Sequence, residues 1–332
     1  MSETPLVYLR GVKVHFPLPR GEVVRAVDGV DLTLQPGEAV GLVGESGSGK
    51  STLARALLRL LPLTAGEIWF DSKPLHRLSE RELRPLRREM QLVFQDPMAS
   101  LNPRMRIADI LAEPLLVHGI ARGRQARDEA ARLLERVGLP RDYLNRYPHE
   151  FSGGQRQRIC IARAIATQPR LLVADEPTSA LDLSIRAQIH ALLCQLQREM
   201  NMAILFVTHD LHAVRQVCSR VLVMYLGKIV ESAPVEQLFT SPAHPYTQTL
   251  LDALLEPVPS KARRPRLLPT GDVPTAVHLP TGCRFHTRCA YAQERCRVEE
   301  PLLQTVGEYH RVACHYPLPS SPKRTLGTPS AP

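Results

Sequence analysis

The sequence predicts an α/β protein built around a phosphate-binding loop. It adds an antiparallel β subdomain, an inserted helical subdomain and a small, loop-rich, cysteine-containing C-terminal appendage. Three stretches carry this prediction. Gly44-Glu45-Ser46-Gly47-Ser48-Gly49-Lys50-Ser51-Thr52 lies between an apolar run, Glu38 to Val43, that reads as a buried strand and a segment of helical composition, Leu53 to Leu58. Leu171 to Glu176 is a continuous apolar run ending in two carboxylates, and Met202 to Val207 is another ending in Thr208-His209-Asp210. Runs of this kind are strands buried on both faces of a parallel sheet.

The glycine-rich loop fits G-x-x-x-x-G-K-[ST] in the strand–loop–helix context that the motif needs. Glycines let successive backbone N–H groups curl round a phosphate chain, and the positive end of the following helix adds to the attraction. Gly44, Ser46, Gly47, Gly49 and Thr52 form the cradle, Lys50 reaches the outer phosphates, and Ser51 offers its hydroxyl to Mg²⁺.

Composition sets the outer bounds. The chain has 332 residues, 44% hydrophobic and 23% charged, long enough for two domains or one large one with an appendage. No apolar run approaches the roughly 18 residues that span a bilayer, and Met1 to Pro5 has neither a basic nor an apolar leader region, so a cytoplasmic location is expected. The net charge of +9 fits a basic surface, nucleic acid or an anionic membrane face, but no nucleic-acid motif accompanies it.

In chain order, Leu6 to Phe16 and Arg25 to Leu34 alternate like strands, joined by Pro17-Leu18-Pro19-Arg20-Gly21, and read as a hairpin beside the strand that feeds the loop. Phe16, then Tyr8, are the aromatics available to stack on an adenine ring; ordinary strand packing is the alternative for both. Ala65 to Phe70 is a strand, Leu78 to Arg88 a charged helix, and Gln91 to Phe94 a strand that delivers Gln95 just before Asp96-Pro97, within reach of a metal or an attacking water. Residues 107 to 137 carry two apolar helical faces ended by Gly138-Leu139-Pro140, a helical insertion placed at about 98–167. Ser152-Gly153-Gly154-Gln155 opens another helix as a second anion-binding N-terminus, but it has no lysine and no Mg²⁺ ligand, so it looks like half of a site. Asp175 is placed to hold Mg²⁺ and Glu176 to take a proton from attacking water. A helix follows from Ile185 to Met200, and His209 stands at the edge of the next strand. Val221 to Tyr225 and Lys228 to Glu231 form a closing hairpin.

Beyond about residue 256 the composition changes. Twelve of the 29 prolines fall there, with the basic run Lys261 to Arg266 and an end from Pro317 that reads as disordered. Cys283, Cys289, Cys296 and Cys314 are spaced C-x5-C-x6-C-x17-C, which matches neither the tight pairs of structural zinc nor ferredoxin spacing. From the spacing, a metal site and free thiols stand level; disulfides are disfavoured in a reducing compartment.

With these pieces in order, residues 6 to 255 resemble an ABC-transporter ATP-binding subunit. Gly44 to Ser51 match the Walker A loop, Gln95 the Q-loop, Ser152 to Gln155 the signature, Asp175 and Glu176 the Walker B end, Ser179-Ala180-Leu181-Asp182 the D-loop and His209 the switch histidine. Phe151 replaces the usual leucine ahead of the signature. Phe94-Gln95-Asp96-Pro97, Ser100-Leu101-Asn102-Pro103-Arg104, Tyr147-Pro148, His244-Pro245-Tyr246-Thr247 and the cysteine tail look like the dipeptide/oligopeptide importer subfamily, with nickel and glutathione importers close by.

The resemblance implies an ATPase using ATP and Mg²⁺, the latter through Ser51, Gln95 and Asp175, with Glu176, His209, Lys50 and Gln95 as its catalytic set. It implies a [4Fe-4S] cluster on the four cysteines, zinc with His286, His310 or His315 being the fallback. The implied partners are a two-subunit permease in the membrane, a second ATP-binding subunit packed head to tail so that each loop faces the other's signature, and an extracytoplasmic peptide-binding protein, with no nucleic acid; this chain itself is implied to be peripheral at the cytoplasmic face of the membrane. A non-transport ABC ATPase acting on DNA or ribosomes is the rival; it is disfavoured because no long heptad insertion and no second cassette are present.

Overall fold

The computed structural model describes residues 4–253 and 274–319. Its scaffold is an eight-stranded sheet, of which five neighbouring strands run parallel. In chain order the elements are β1 (Val7–Pro17), β2 (Val23–Leu34), β3 (Ala39–Val43), α1 (Lys50–Leu57), β4 (Ala65–Phe70), β5 (Lys73–Pro74), α2 (Glu80–Leu86) and β6 (Met90–Val93). The helical stretch follows as α3 (Pro97–Ser100), α4 (Ile107–Val117), α5 (Gly123–Arg136) and α6 (Gly153–Ile165). Then come β7 (Leu171–Asp175), α7 (Leu183–Met200), β8 (Ala203–Thr208), α8 (Leu211–Val217), β9 (Arg220–Tyr225), β10 (Lys228–Pro234), α9 (Val235–Thr240) and α10 (Pro245–Ala253). The C-terminal extension contributes α11 (Glu294–Val298), β11 (Gln304–Gly307) and β12 (His310–Val312).

The large sheet has the order β11-β12-β10-β9-β3-β8-β7-β6. Every residue of β3, β7 and β8 is buried, as expected of strands covered on both faces. Their side chains alternate between two cores. Val40, Leu42, Val173 and Leu205 face the core shared with α1 and the antiparallel sheet, while Val43, Leu172, Ile204 and Phe206 face the core shared with α6, α7 and the helical stretch. Period-two alternation of apolar residues thus supplies both layers from one strand. Because β3, β6, β7 and β8 run parallel, the loops that follow them all emerge at one edge.

The N-terminal hairpin forms as expected, with Val7 opposite Leu34 and Phe16 opposite Val24. It does not lie beside β3 in one sheet: β2, β1, β4 and β5 form a separate four-stranded sheet. The reason lies in side-chain pattern. Val7, Leu9, Val12 and Val14 are buried on one face only, and that face packs over α1 instead of pairing edge to edge. Helix α2 is shorter than the expected Leu78–Arg88, starting at Glu80 on the Ser79 N-cap of a Ser79–Glu82 capping box and ending one residue past Pro85.

The extension differs most from expectation. β12 pairs antiparallel with β10, Glu231 opposite Val312, so the extension continues the central sheet. Leu318 still donates its N–H to the Ala243 carbonyl at 2.8 Å, so the chain is held beyond Pro317. The basic run Lys261 to Arg266, the expected boundary near 256 and the tail beyond 319 lie outside the described residues.

Candidate active site

The phosphate loop connects β3 to α1. Gly49 occupies the N-cap of α1 at φ +104°, a left-handed conformation that a side chain would resist. Gly47, at φ +77°, has open space where a Cβ would stand, leaving its backbone free for close approach by a ligand. Lys50, nearly buried, donates from Nζ to the carbonyls of Gly44 and Glu45, both at 2.9 Å. Burial holds its pKa below the ordinary lysine value, partly opposed by Glu176, Asp175 and Glu45.

Ser51 Oγ donates to Asp175 Oδ1 at 2.8 Å, so the loop and the end of β7 meet across 124 residues. Burial raises the Asp175 carboxyl pKa, and the Ser51 hydrogen bond opposes that rise. The hydroxyl and carboxylate are the hard oxygen donors that suit Mg²⁺.

Glu176, the next residue, adopts φ +47°, an unfavourable backbone for a non-glycine residue. Its N–H donates to the Val207 carbonyl of β8 at 2.9 Å, which holds the turn. The carboxylate then meets two residues from neighbouring strand ends: Gln95 Nε2 donates to Oε2 at 3.3 Å, and His209 Nδ1 lies 3.3 Å from Oε1.

These groups surround one space of about 520 Å³, within the usual range of small-molecule sites. Ser46, Gly47, Gly49, Lys50, Ser51 and Thr52 form its floor, Gln95, Glu176 and His209 one wall, and Val24, Ala26 and Ala276 the other. Gly44 and Asp175 stand behind the floor, reached through Lys50 and Ser51. A floor of loop amides with a lysine, an oxygen pair for a cation, and a carboxylate flanked by glutamine and histidine suit phosphoryl transfer to water.

Phe16 does not line the space. It stands beside it, because its cross-strand partner Val24 does and such partners share a sheet face. Tyr8 pairs with Thr33 toward the other end of β1.

Ser152 to Gln155 are also outside this space. Ser152 caps α6 by accepting from the Gln155 N–H at 3.3 Å, and Gln155 Oε1 accepts from the Ser152 N–H at 3.0 Å. Gly154 lets α6 pass close to α7: a Cβ there would meet Ile185 Cγ2 at 2.5 Å. Ser152 and Gly153 remain exposed.

Sequence reasoning missed the wall made by Val24, Ala26 and Ala276. The extension runs along β2, where the Arg25 N–H donates to the Ala276 carbonyl at 3.0 Å, and small apolar residues carried no signal of that. Arg284, almost fully buried, pairs with Asp28 on the same strand and donates to the Leu226 carbonyl. Burial raises the Asp28 pKa, but the Arg284 hydrogen bond and charge outweigh it, and the net shift is downward.

A second pocket lies where the extension packs against the start of α10. Cys283, Cys289, Cys296 and Cys314 line it together with His244, His286 and His315. All seven cysteines of the chain are free thiols. Burial pushes Cys283 up to about 11 and Cys314 up to about 12, with the neighbouring cysteines adding to each. His244 is fully buried, and burial pushes it down to about 4. Its Nδ1 accepts the Tyr246 N–H at 3.0 Å, so the ring proton sits on Nε2. Among the described residues no three His, Cys, Asp or Glu side chains converge on a single-ion site. His310 lies elsewhere, bonded through Nε2 to the buried Glu231 at 2.7 Å.

Comparison with known proteins agrees with this architecture. The family described as ABC transporter matches residues 27–179, and the family described as oligopeptide/dipeptide transporter, C-terminal region, matches residues 230–296. A Brucella ovis protein, provisionally named as a peptide import ATP-binding protein, is 49% identical over 314 residues, covering 95% of this chain and 98% of its own. The oligopeptide transport ATP-binding protein AppF of Bacillus subtilis is 45% identical over 324 residues, again 95% of this chain and 98% of its own. Among solved structures, the ATP-binding cassette MJ0796, captured as a dimer in a post-hydrolysis state with ADP and Pi, is 32% identical with a TM-score of 0.64, covering 69% of this chain and 98% of its own.

Proposed function

The chain belongs to the ABC transporter ATP-binding family, and from that premise we propose that it is the ATP-hydrolysing subunit of an importer of dipeptides or oligopeptides. The observation that carries the ATPase reading is the meeting of Lys50, the Ser51–Asp175 pair and the Gln95–Glu176–His209 group around one space. Peptide import rests on the match of the extension to the oligopeptide/dipeptide transporter C-terminal region and on the two peptide-transport relatives.

In this reading Lys50 and the loop amides bind the β- and γ-phosphates, and Glu176 orients the attacking water and takes its proton. His209 and Gln95 hold the Glu176 carboxylate in place. Ser51, Asp175 and Gln95 would hold Mg²⁺, which when bound neutralises charge on the phosphate oxygens. Phe16, the cross-strand partner of the wall residue Val24, is the aromatic we assign to stack on the base. Ser152 to Gln155 serve a neighbouring subunit's nucleotide, which the exposure of Ser152 and Gly153 and the separation of the stretch from this loop support. The related cassette, a dimer with ADP and Pi bound, supports the pairing of two such subunits.

No helix among the described residues is long and apolar enough to cross a membrane. Transport therefore calls for a separate permease, and we place its docking surface beside Gln95, where Phe94 and Met98 stand exposed.

We assign the four cysteine thiols that line one pocket as the donors of a [4Fe-4S] cluster, as the resemblance of this tail to its relatives implies. His244, which lines the same pocket, carries a ring N–H that fits a bound group accepting hydrogen bonds. Anaerobically purified protein should be brown and carry iron and sulfide; a colourless preparation with stoichiometric zinc would sink the assignment.

The functional test is reconstitution with the permease and binding protein in vesicles. Uptake of a labelled dipeptide should require this chain and ATP. Co-purification with nucleic acid instead of a membrane protein would point to the non-transport rival.

A further inference from the structure

Glu45, the second residue of the phosphate loop, is tied down at each of its polar groups. Its carboxylate takes two hydrogen bonds from the Arg288 guanidinium, at 2.9 and 3.1 Å. Its N–H donates to the Tyr246 hydroxyl at 2.8 Å, and its carbonyl accepts from Lys50 at 2.9 Å. Arg288 and Tyr246 lie 243 and 201 residues away in the chain. A bidentate arginine on a carboxylate fixes direction as well as distance.

The same two residues belong to the frame of the cysteine pocket. Arg288 precedes Cys289, and it also donates to the Tyr225 hydroxyl at 3.3 Å. Tyr225, Tyr246 and Phe285 pack as one aromatic cluster, with ring centroids 4.6 to 5.4 Å apart, and Phe285 and His244 line the pocket itself. Arg288 and Tyr246 are almost fully buried, so a shift of Cys289 or His244 has no slack through which to dissipate before it reaches Glu45.

We propose that Arg288 and Tyr246 are positioning residues for the phosphate loop, and that through Glu45 they couple the state of the cysteine pocket to nucleotide affinity. The proposal rests on the reading of this loop as the ATP site. Glu45 sets the carbonyl that Lys50 grips, so its displacement moves the ammonium meant for the phosphates. The coupling is reciprocal: a filled pocket changes nucleotide affinity, and bound nucleotide changes the surroundings of the pocket.

The test measures binding of a fluorescent ATP analogue to the full chain, with the pocket loaded anaerobically with ferrous iron and sulfide or stripped by a chelator. In the unsubstituted protein, the two states should differ in affinity by about fivefold or more, the lower end of known coupling. Arg288→Gln, Glu45→Gln and Tyr246→Phe should each weaken binding and reduce that difference. The Arg288→Gln/Glu45→Gln double variant should be no weaker than the worse single one, because both break one contact. Nucleotide should also shift the visible spectrum of the loaded protein, and not that of the loaded Arg288→Gln variant. Should Arg288→Gln fail to fold, Glu45→Gln and Tyr246→Phe carry the test from the loop side. Equal affinity in the loaded and stripped states, or single-variant effects that simply add, overturns the proposal. Failure of the unsubstituted protein to bind nucleotide in either state overturns the ATP-site reading itself.

Discussion

Glu176 Oε1 lies 3.3 Å from His209 Nδ1, and the Glu176 backbone is held at φ +47° by its N–H bond to Val207. The end of β7 is therefore bent so that its second carboxylate faces the end of β8 instead of the helix that follows.

From this arrangement, Glu176→Gln should keep nucleotide binding and lose turnover by about 10²-fold or more, the usual loss when a general base is removed. Parallel measurement of nucleotide affinity and phosphate release checks it. Hydrolysis at the unsubstituted rate would mean that Glu176 is misassigned. His209→Ala should lower turnover in the same direction.

Ser152 caps α6 away from the loop space, so Ser152→Ala should leave the affinity of the single chain for nucleotide unchanged. On the proposed head-to-tail pairing its steady-state ATPase should fall, because the serine would act on a neighbour's nucleotide. Loss of binding in dilute, monomeric protein would contradict that division. The cap itself costs about 1 kcal/mol when removed, so a small drop in melting temperature is expected alongside.

The Asp28–Arg284 pair fastens the extension to β2. Because the folded-state pKa of Asp28 lies below its unfolded value, the stability it contributes is complete above the ordinary aspartate range and is lost as pH falls through the lowered folded value. Acid should loosen the extension from β2, which limited proteolysis of the 274–319 segment across a pH series would detect. Asp28→Asn should destabilise at neutral pH by about 3 kcal/mol, since it leaves a buried guanidinium unpaired. It should also flatten the acid dependence. Unchanged proteolysis in the variant would argue that Arg284 finds another partner.

His244→Phe keeps an aromatic ring against Phe285 and deletes the Nε2–H in the cysteine pocket. If that N–H bonds to a cluster sulfur, its removal should lower the reduction potential of the loaded protein, since such hydrogen bonds stabilise the more negative reduced state. Potentiometric titration followed by visible absorbance reads the shift. An unchanged potential would leave His244 a packing residue. Cys314→Ser, by contrast, should abolish the colour.

Much of the nucleotide site was legible because its motifs are local. Gly47 and Gly49 act through their own backbone, Lys50 and Ser51 through side chains on the same short turn, and a parallel sheet delivers Gln95, Glu176 and His209 to one edge whatever else the chain does. The extension was less legible. Its cysteine spacing matched no established ligand pattern, and the HPYT stretch carried no hint that Tyr246 would reach Glu45.

What the sequence by itself determined is the set of chemical parts and their placement on strand ends and helix caps, because apolar period and turn residues encode these within a few positions. Only the tertiary structure decided which distant parts touch. It folded the N-terminal hairpin into its own sheet, set Val24, Ala26 and Ala276 in the nucleotide wall beside Phe16, and gathered four cysteines around one pocket. It also laid Arg288 on Glu45 across 243 residues. Such contacts depend on how whole layers pack, and spacing along the chain does not record that.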